Sequence, residues 1–322
     1  MEVFVDCAGA AMGGAKRFLN ELVAWLGRHP EAPVRLLGQD RAIGARHLVA
    51  REIPMFGRRP DRAVALNNVG FVGTAGERWV LLRNPLHFVT PAEARELPRQ
   101  TAQRMRTQTR IVRLAARRAD VIVVPSSEMG ERVRAHLPTL ADRLVVMPHP
   151  LSPRPRHQTA PGLVVCPVLL APWKGMSRHL DLLESAVREL RSASSVALDV
   201  RVTATKEELA ALGHGNECVL RPVGRLPAGD LDKLLSRAQV IYYPTTIESF
   251  GYPLAEARAN GQPVVGHDTQ RTREVAGQAL VPFAEQTPQA VATALYEAVE
   301  KPPPPPDPGP FSPDIYFGRW LA

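Results

Sequence analysis

Short runs of β-branched and apolar residues alternate with longer amphipathic stretches along almost the whole chain. That alternation restricts the fold more than any other feature. In the first half the runs are Val3-Phe4-Val5, Val34 to Leu37, Ala63 to Leu66, Trp79 to Leu82, Val121 to Val124 and Leu144 to Met147. In the second half they are Leu163 to Cys166, Ala197 to Val202, Cys218 to Leu220, Val240 to Tyr243, Pro263 to Val265 and Leu280-Val281. Strands separated by helix-length segments pair in parallel, because the intervening helix carries the chain back across the sheet. The class is therefore α/β. The opening strand runs into Ala10-Ala11-Met12-Gly13-Gly14, and Phe18, Leu19, Leu22, Val23 and Leu26 then recur at helical spacing.

A chain of 322 residues with 45% hydrophobic composition supplies two ordinary cores. Apolar runs stay well short of the roughly 18 residues that cross a bilayer, and the start lacks the basic lead of a signal peptide. A soluble, cytoplasmic protein is expected. Cys7, Cys166 and Cys218 lie far apart, with no metal-ligand or redox spacing, and read as buried thiols. The net charge of +8 suits an anionic partner such as a nucleotide, an acidic acceptor or a phospholipid surface. Nucleic acid is not expected, since no zinc-finger, helix-turn-helix or aromatic RNA-binding pattern accompanies the charge.

An internal echo supports two similar halves. Arg118-Ala119-Asp120-Val121-Ile122-Val123-Val124-Pro125-Ser126-Ser127 parallels Arg237-Ala238-Gln239-Val240-Ile241-Tyr242-Tyr243-Pro244-Thr245-Thr246. In each, proline stops a buried strand before a hydroxyl pair suited to cap the next helix. Between the halves, Pro148 to His157 is too proline-rich for helix or central strand and reads as a hinge. Pro302 to Pro306 reads as a stiff spacer. Beyond it Ile315, Tyr316, Phe317, Trp320 and Leu321 are too apolar for a free tail, and a short helix from Asp314 docking on the body is expected. The expected domains are 1–150 and 158–300, with 301–322 as spacer and docking segment.

The segment with the clearest chemistry is Glu248-Ser249-Phe250-Gly251-Tyr252-Pro253-Leu254-Ala255-Glu256, which follows a strand and opens a helix closed by Gly261. Pro253 fits a first helical turn, where its missing N–H costs nothing. The N–H groups around Phe250 and Gly251 then lie at a helix N-terminus, which favours an anion or hydroxyl oxygen. Carboxylates such as Glu248 and Glu256 accept hydrogen bonds from neighbouring sugar hydroxyls. The spacing alone is equally consistent with two solvated helix-end glutamates.

The stretch from Arg237 to Val265, above all Glu248 to Ala257 followed by Asn260-Gly261-Gln262-Pro263-Val264-Val265, resembles the signature of the retaining glycosyltransferases of family four. The resemblance implies a GT-B fold, two Rossmann-like domains with a deep cleft between them. It implies transfer of a sugar from a nucleoside diphosphate sugar to a hydroxyl of a glycan, lipid-linked or small-molecule acceptor, with no cofactor and no essential metal. It places Glu248 on the hydroxyls of the transferred sugar, with the backbone of Ser249, Phe250 and Gly251 beside it, Leu254 by the diphosphate and Glu256 on the ribose. Glu274, in Thr272-Arg273-Glu274-Val275, resembles the glutamate after the next strand, although Gln270-Arg271 stands where the family has two glycines. Lys174-Gly175 resembles the pair whose lysine supplies charge to the departing diphosphate. A Gly-Arg pair precedes that lysine in the family. Here Val168-Leu169 replaces it, so Arg201, Arg225 or Arg273 would have to supply the second cation. Val223-Gly224-Arg225-Leu226 resembles the strand end whose backbone reads the nucleobase, and Gly13-Gly14 the glycine loop facing the donor.

His87, just past a strand, fits a hydrogen bond to donor or acceptor as well as a structural role, and Asn67 and Asn68 share that status. From Arg99 to Arg118 there are seven arginines and no acidic residue, with Arg99, Arg106, Arg110, Arg113 and Arg117 at helical spacings. Met105, Val112, Ala116, Ile111 and Leu114 form the apolar side. A solvated helix face and a peripheral contact with the inner face of an anionic membrane both fit. Two further readings stay open: a nucleotide-sugar epimerase on the same architecture, and a non-catalytic nucleotide-sugar-binding protein.

Overall fold

The computed structural model describes residues 1–57, 59–73, 76–154, 158–214 and 219–322. Cys218 and the last three residues of the proline-rich hinge lie outside them. The chain divides into two compact units. The first comprises Met1–Ser152, Glu248–Phe250 and Pro310–Ala322; the second comprises Pro153–Ile247 and Gly251–Gly309.

The first unit runs β1 (Val3–Asp6), α1 (Gly13–Arg28), β2 (Val34–Leu37), α2 (Ala45–Ala50), α3 (Ile53–Gly57), β3 (Arg62–Ala65), β4 (Glu77–Leu81), α4 (Pro91–Glu96), α5 (Arg99–Ala116), β5 (Val121–Val124), α6 (Ser127–His136) and β6 (Leu144–Val146). Its six strands are all parallel, in the order β2-β1-β3-β4-β5-β6. Central strands are apolar on both faces, as a parallel sheet covered by helices requires; Val3, Phe4, Val5, Val64, Val80 and Ile122 are all fully buried.

The second unit continues with β7 (Leu163–Cys166), α7 (Met176–Ala193), β8 (Asp199–Val202), α8 (Lys206–Ala211), β9 (Leu220–Pro222), α9 (Ala228–Arg237), β10 (Val240–Tyr242), α10 (Tyr252–Asn260), β11 (Val264–His267), α11 (Gln270–Ala276), β12 (Leu280–Phe283) and α12 (Pro288–Glu300). Its parallel order is β12-β11-β10-β7-β8-β9. Leu180, Leu183 and Val187 of α7 and Val291 and Leu295 of α12 fill its core against β7 and β10. Each run read as a strand carries one, with ends displaced by one or two residues in most.

The two echoing segments diverge where helix capping was expected. Ser126 caps α6, its Oγ accepting from Met129 N at 3.2 Å. Thr245 and Thr246 cap nothing, because α10 starts only at Tyr252 after Gly251. Gly251 has φ +88°, and a Cβ there would lie 3.0 Å from the Tyr243 ring, so the longer loop depends on glycine. At the other end of α10, Gly261 has φ +64° and a Cβ would sit 2.5 Å from the Pro304 carbonyl oxygen. The proline segment is held there by Arg258, which donates to Asp307 Oδ2 at 2.7 Å, while Asp307 N donates to Arg258 O at 2.9 Å.

The last residues form α13 (Pro313–Gly318) and return to the first unit. Phe311, Tyr316, Phe317 and Trp320 are buried, and Phe18 of α1 meets the last three at ring-centroid distances of 5.5, 5.8 and 6.4 Å. Large side chains buried this way contribute about 1.5–3 kcal/mol each relative to exposure. That gain orders a segment the proline run would otherwise leave loose.

Candidate functional site

In an open parallel sheet, ligands bind at the carboxyl ends of the strands where the strand order reverses. In the second unit that point lies between β7 and β10, which pair directly although α7, β8, α8, β9 and α9 separate them in sequence. Lys174 follows β7, Gly251, Leu254 and Glu256 follow β10, and Glu274 follows β11, so three adjacent strands carry them at one sheet edge. Lys174 ends a 3-10 turn, and Gly175, with φ +58°, lets α7 start at once behind it. Leu254 is fully buried and Glu256 is 8% exposed.

Arg225 and Leu226 follow β9 at the sheet's edge. The Arg225 side chain is exposed and paired with Glu208. Arg201 is likewise held by Asp199 at 2.8 Å and Arg273 by Asp268 at 2.5 Å. All three arginines considered as a second diphosphate cation are thus engaged by neighbouring carboxylates.

Two arginines to which the sequence assigns no role in the site are members of this edge. Arg271, at one of the two family glycine positions, is fully buried and donates Nη2 to Thr245 O at 2.7 Å, its Nη1 packing beneath Gly251. Arg154, from the proline-rich stretch, donates Nη2 to Glu256 Oε1 at 2.7 Å and meets Asp232 Oδ1 at 2.9 Å. Neither lies beside its partner in sequence, Arg271 standing 26 positions from Thr245 and Arg154 standing 102 from Glu256, so no local signal marks the contacts.

In the first unit the residues Glu248–Phe250 lie along the ends of β4, β5 and β6. Ser249 Oγ donates to Arg83 O at 2.6 Å, Ser126 Oγ donates to Ser249 O at 2.7 Å, and Ser249 N donates to Glu248 Oε1 at 3.1 Å. Phe250 packs against His149 and Phe311 at 5.0 and 6.0 Å. Gly13 and Gly14 open α1 on the surface, Gly13 with φ +57°. Asn68, at φ +67°, accepts from Arg83 N and Asn84 N at 2.7 and 2.9 Å and so shapes the turn after β4.

His87 is buried, with Nδ1 3.1 Å from Thr109 Oγ1 and Nε2 3.4 Å from Asn84 Nδ2. Its carbonyl oxygen accepts from Arg113 Nε and Nη2 at 3.2 and 2.8 Å. Arg113 is thereby turned inward, unlike the other arginines read as one cationic face. Arg99, Arg106, Arg110 and Arg117 are exposed and form no ion pair among the described residues, and Ile111 and Leu114 are exposed beside them rather than packed. Among the cysteines, burial pushes the thiols of Cys7 and Cys166 up to about 12, which leaves them unreactive.

Burial lowers the His87 and His179 imidazoles from 6.5 to about 4, and the fully enclosed His149 well below its ordinary value, with Arg83 adding to the effect. These groups stay neutral in the folded protein, whereas the unfolded chain protonates them near pH 6.5. Stability is therefore full above that pH and falls as pH drops from about 6.5 toward 4. Each group adds a slope of up to about 1.4 kcal/mol per pH unit, and the three together up to about 4. Urea unfolding at steps between pH 7.5 and 4.5 measures the slope. His87→Gln is expected to remove one proton's share; a flat profile across the window would contradict the assignment.

Residues 156–309 match the family model described as Glycosyl transferases group 1. The search of curated protein sequences finds no match. Among solved structures the chain is similar to HepE of Anabaena, in complex with UDP and glucose, at 14% identity and TM-score 0.60, covering 94% of this chain and 90% of that one. It is also similar to WaaG, a glycosyltransferase involved in lipopolysaccharide biosynthesis, at 16% identity and TM-score 0.63, covering 94% and 91%. A third is a glycosyltransferase from Rickettsia africae, at 12% identity and TM-score 0.60, covering 92% and 87%. The two parallel six-stranded α/β units match the GT-B fold of these structures.

Proposed function

With residues 156–309 carrying the domain of the glycosyl transferases group 1 family on a GT-B fold, we propose that this protein is a retaining glycosyltransferase acting from a nucleoside diphosphate sugar onto a hydroxyl acceptor. The observation that carries the reading is the placement of Lys174 and the Gly251 to Glu256 helix start on either side of the strand-order reversal in the second unit. Lysine and helix N-termini together favour the charge that develops on a departing diphosphate. Glu256 takes the ribose diol, Leu254 packs beside the diphosphate, and Glu248 takes hydroxyls of the transferred sugar with the backbone of Ser249, Phe250 and Gly251. The backbone at Arg225 and Leu226 faces the base, Gly13 and Gly14 allow close approach to the donor, and Glu274 supports the sugar. His87, buried after β4 and held neutral, is the candidate for a hydrogen bond to the donor sugar or the incoming acceptor hydroxyl. The leaving phosphate itself takes the acceptor's proton on the face it departs from. Lys174 supplies the charge that a divalent ion supplies elsewhere, so full activity in excess EDTA belongs to the reading.

Thermal shift with uridine, guanosine, thymidine and adenosine diphosphate sugars identifies the donor, since a ligand at 100 times its Kd adds about 2.7 kcal/mol. Nuclear magnetic resonance of the product then gives its anomeric configuration. A product that retains the donor's configuration is the expected result. Epimerisation of donor alone would establish the epimerase, and binding without transfer or hydrolysis would establish a binding protein.

The exposed arginines Arg99, Arg106, Arg110 and Arg117, which form no ion pair among the described residues, with exposed Ile111 and Leu114, extend the proposal to peripheral contact with an anionic membrane at the cytoplasmic face. Co-flotation with phosphatidylglycerol vesicles, but not phosphatidylcholine vesicles, is expected. Arg106→Glu with Arg110→Glu should abolish it, and equal flotation on both lipids would refute electrostatic docking.

A further inference from the structure

The glutamate assigned to the ribose is part of a charged cluster within the second unit. Arg154 Nη2 lies 2.7 Å from Glu256 Oε1 and 2.9 Å from Asp232 Oδ1 on α9. Its side chain is 13% exposed, and its Nε and Nη1 are buried with no hydrogen-bond partner among the described residues. Carboxylates accept hydrogen bonds and do not donate them, so Glu256 and Asp232 favour groups that donate. A hydroxyl both donates and accepts, so a vicinal diol suits a place where a carboxylate accepts and guanidinium N–H groups donate.

We infer that Arg154 is a positioning residue for the donor's ribose: its hydrogen bond to Oε1 fixes the carboxylate plane of Glu256 toward the two hydroxyls, and Asp232 holds Arg154 in place. A carboxylate is planar, so a hydrogen bond to one oxygen sets the directions in which the group accepts others. This inference rests on the assignment of Glu256 to the ribose. It adds that ribose recognition depends on a residue of the proline-rich stretch before β7.

Calorimetry with UDP, GDP and ADP, each beside its 2′-deoxy counterpart, tests both levels. For the nucleotide that binds, the wild type is expected to prefer the ribose form by about tenfold, the equivalent of one well-made hydrogen bond to a charged group. Glu256→Gln and Arg154→Ala should each bring the preference to within about twofold, a change that loss of packing alone does not produce. Arg154→Lys should keep part of it. If Arg154→Ala fails to fold, Asp232→Asn, which loosens the arginine, should lower the preference instead. Loss of the preference in Glu256→Gln with full preference in the Arg154 and Asp232 variants would overturn this inference alone. Full preference in Glu256→Gln would overturn the ribose assignment itself, and tighter ribonucleotide binding by Arg154→Ala would show that the arginine blocks the site.

Discussion

Lys174→Ala is expected to lower kcat by about 10²–10³, the usual cost of removing one preorganised charge from a developing anion. The expectation follows from what surrounds the position. Leu169, where the family carries an arginine, is exposed and uncharged. Arg201, Arg225 and Arg273 are each held by an aspartate or glutamate of their own surroundings. Lys174 also precedes the N-terminus of α7, whose dipole adds to its field. Steady-state kinetics with the donor identified by thermal shift measures the effect. Lys174→Arg should retain much of the rate. Glu256→Ala should act mainly on KM, since a ribose contact is made equally in ground and transition states. A Lys174→Ala enzyme within a few-fold of wild-type kcat would remove the lysine from the chemistry.

Asp6→Ala is expected to destabilise the first unit by about 3–5 kcal/mol, the cost of stranding a buried charge. Asp6 is fully buried at the end of β1 and accepts from Arg51 Nη1 at 2.5 Å, Asn67 Nδ2 at 2.7 Å and Ala8 N at 3.1 Å, with His47 Nε2 at 2.8 Å. Arg51 also donates to Gly70 O at 2.7 Å and lies over the Phe71 ring. Without the Asp6 carboxylate, the buried guanidinium loses its close counter-ion and keeps only the longer pairing with Glu52 Oε1 at 3.6 Å. At about 2–4 °C per kcal/mol for a unit of this size, the melting transition should fall by roughly 6–20 °C. Calorimetric melting checks this, with Asp6→Asn falling between the two because it keeps the volume but not the charge. A loss below about 1 kcal/mol would mean that Arg51 finds water or another carboxylate.

This network also marks the limit of what the chain discloses before it folds. In the sequence Asn67 is marked only by following a strand, and nothing local marks Asp6 or Arg51. They stand 45 positions apart, and nothing in the periodicity of either segment refers to the other. Glu256 and Arg154 are 102 positions apart and carry the same lesson. The α5 helix shows a subtler case. Its periodicity placed five arginines on one face, yet Arg113 turns inward to the His87 carbonyl, and Ile111 and Leu114 lie outside the core. A regular helix wheel cannot register that choice, since the neighbour it depends on comes from another strand's loop.

The strands, the α/β class, the helix start at Pro253, the Gly261 stop and the glutamate-bracketed segment were all determined by the sequence by itself. Each depends on burial or backbone geometry within a few residues, and apolar runs, proline and glycine encode those directly. The tertiary structure alone decided strand order, and with it the placement of Lys174 and Glu256 in the segments that follow two neighbouring strands. It also decided which charges are neutralised. Coulomb energy and desolvation depend on distance in space, and that distance is created only when β10 pairs with β7 and Arg154 comes to rest against α9 and α10.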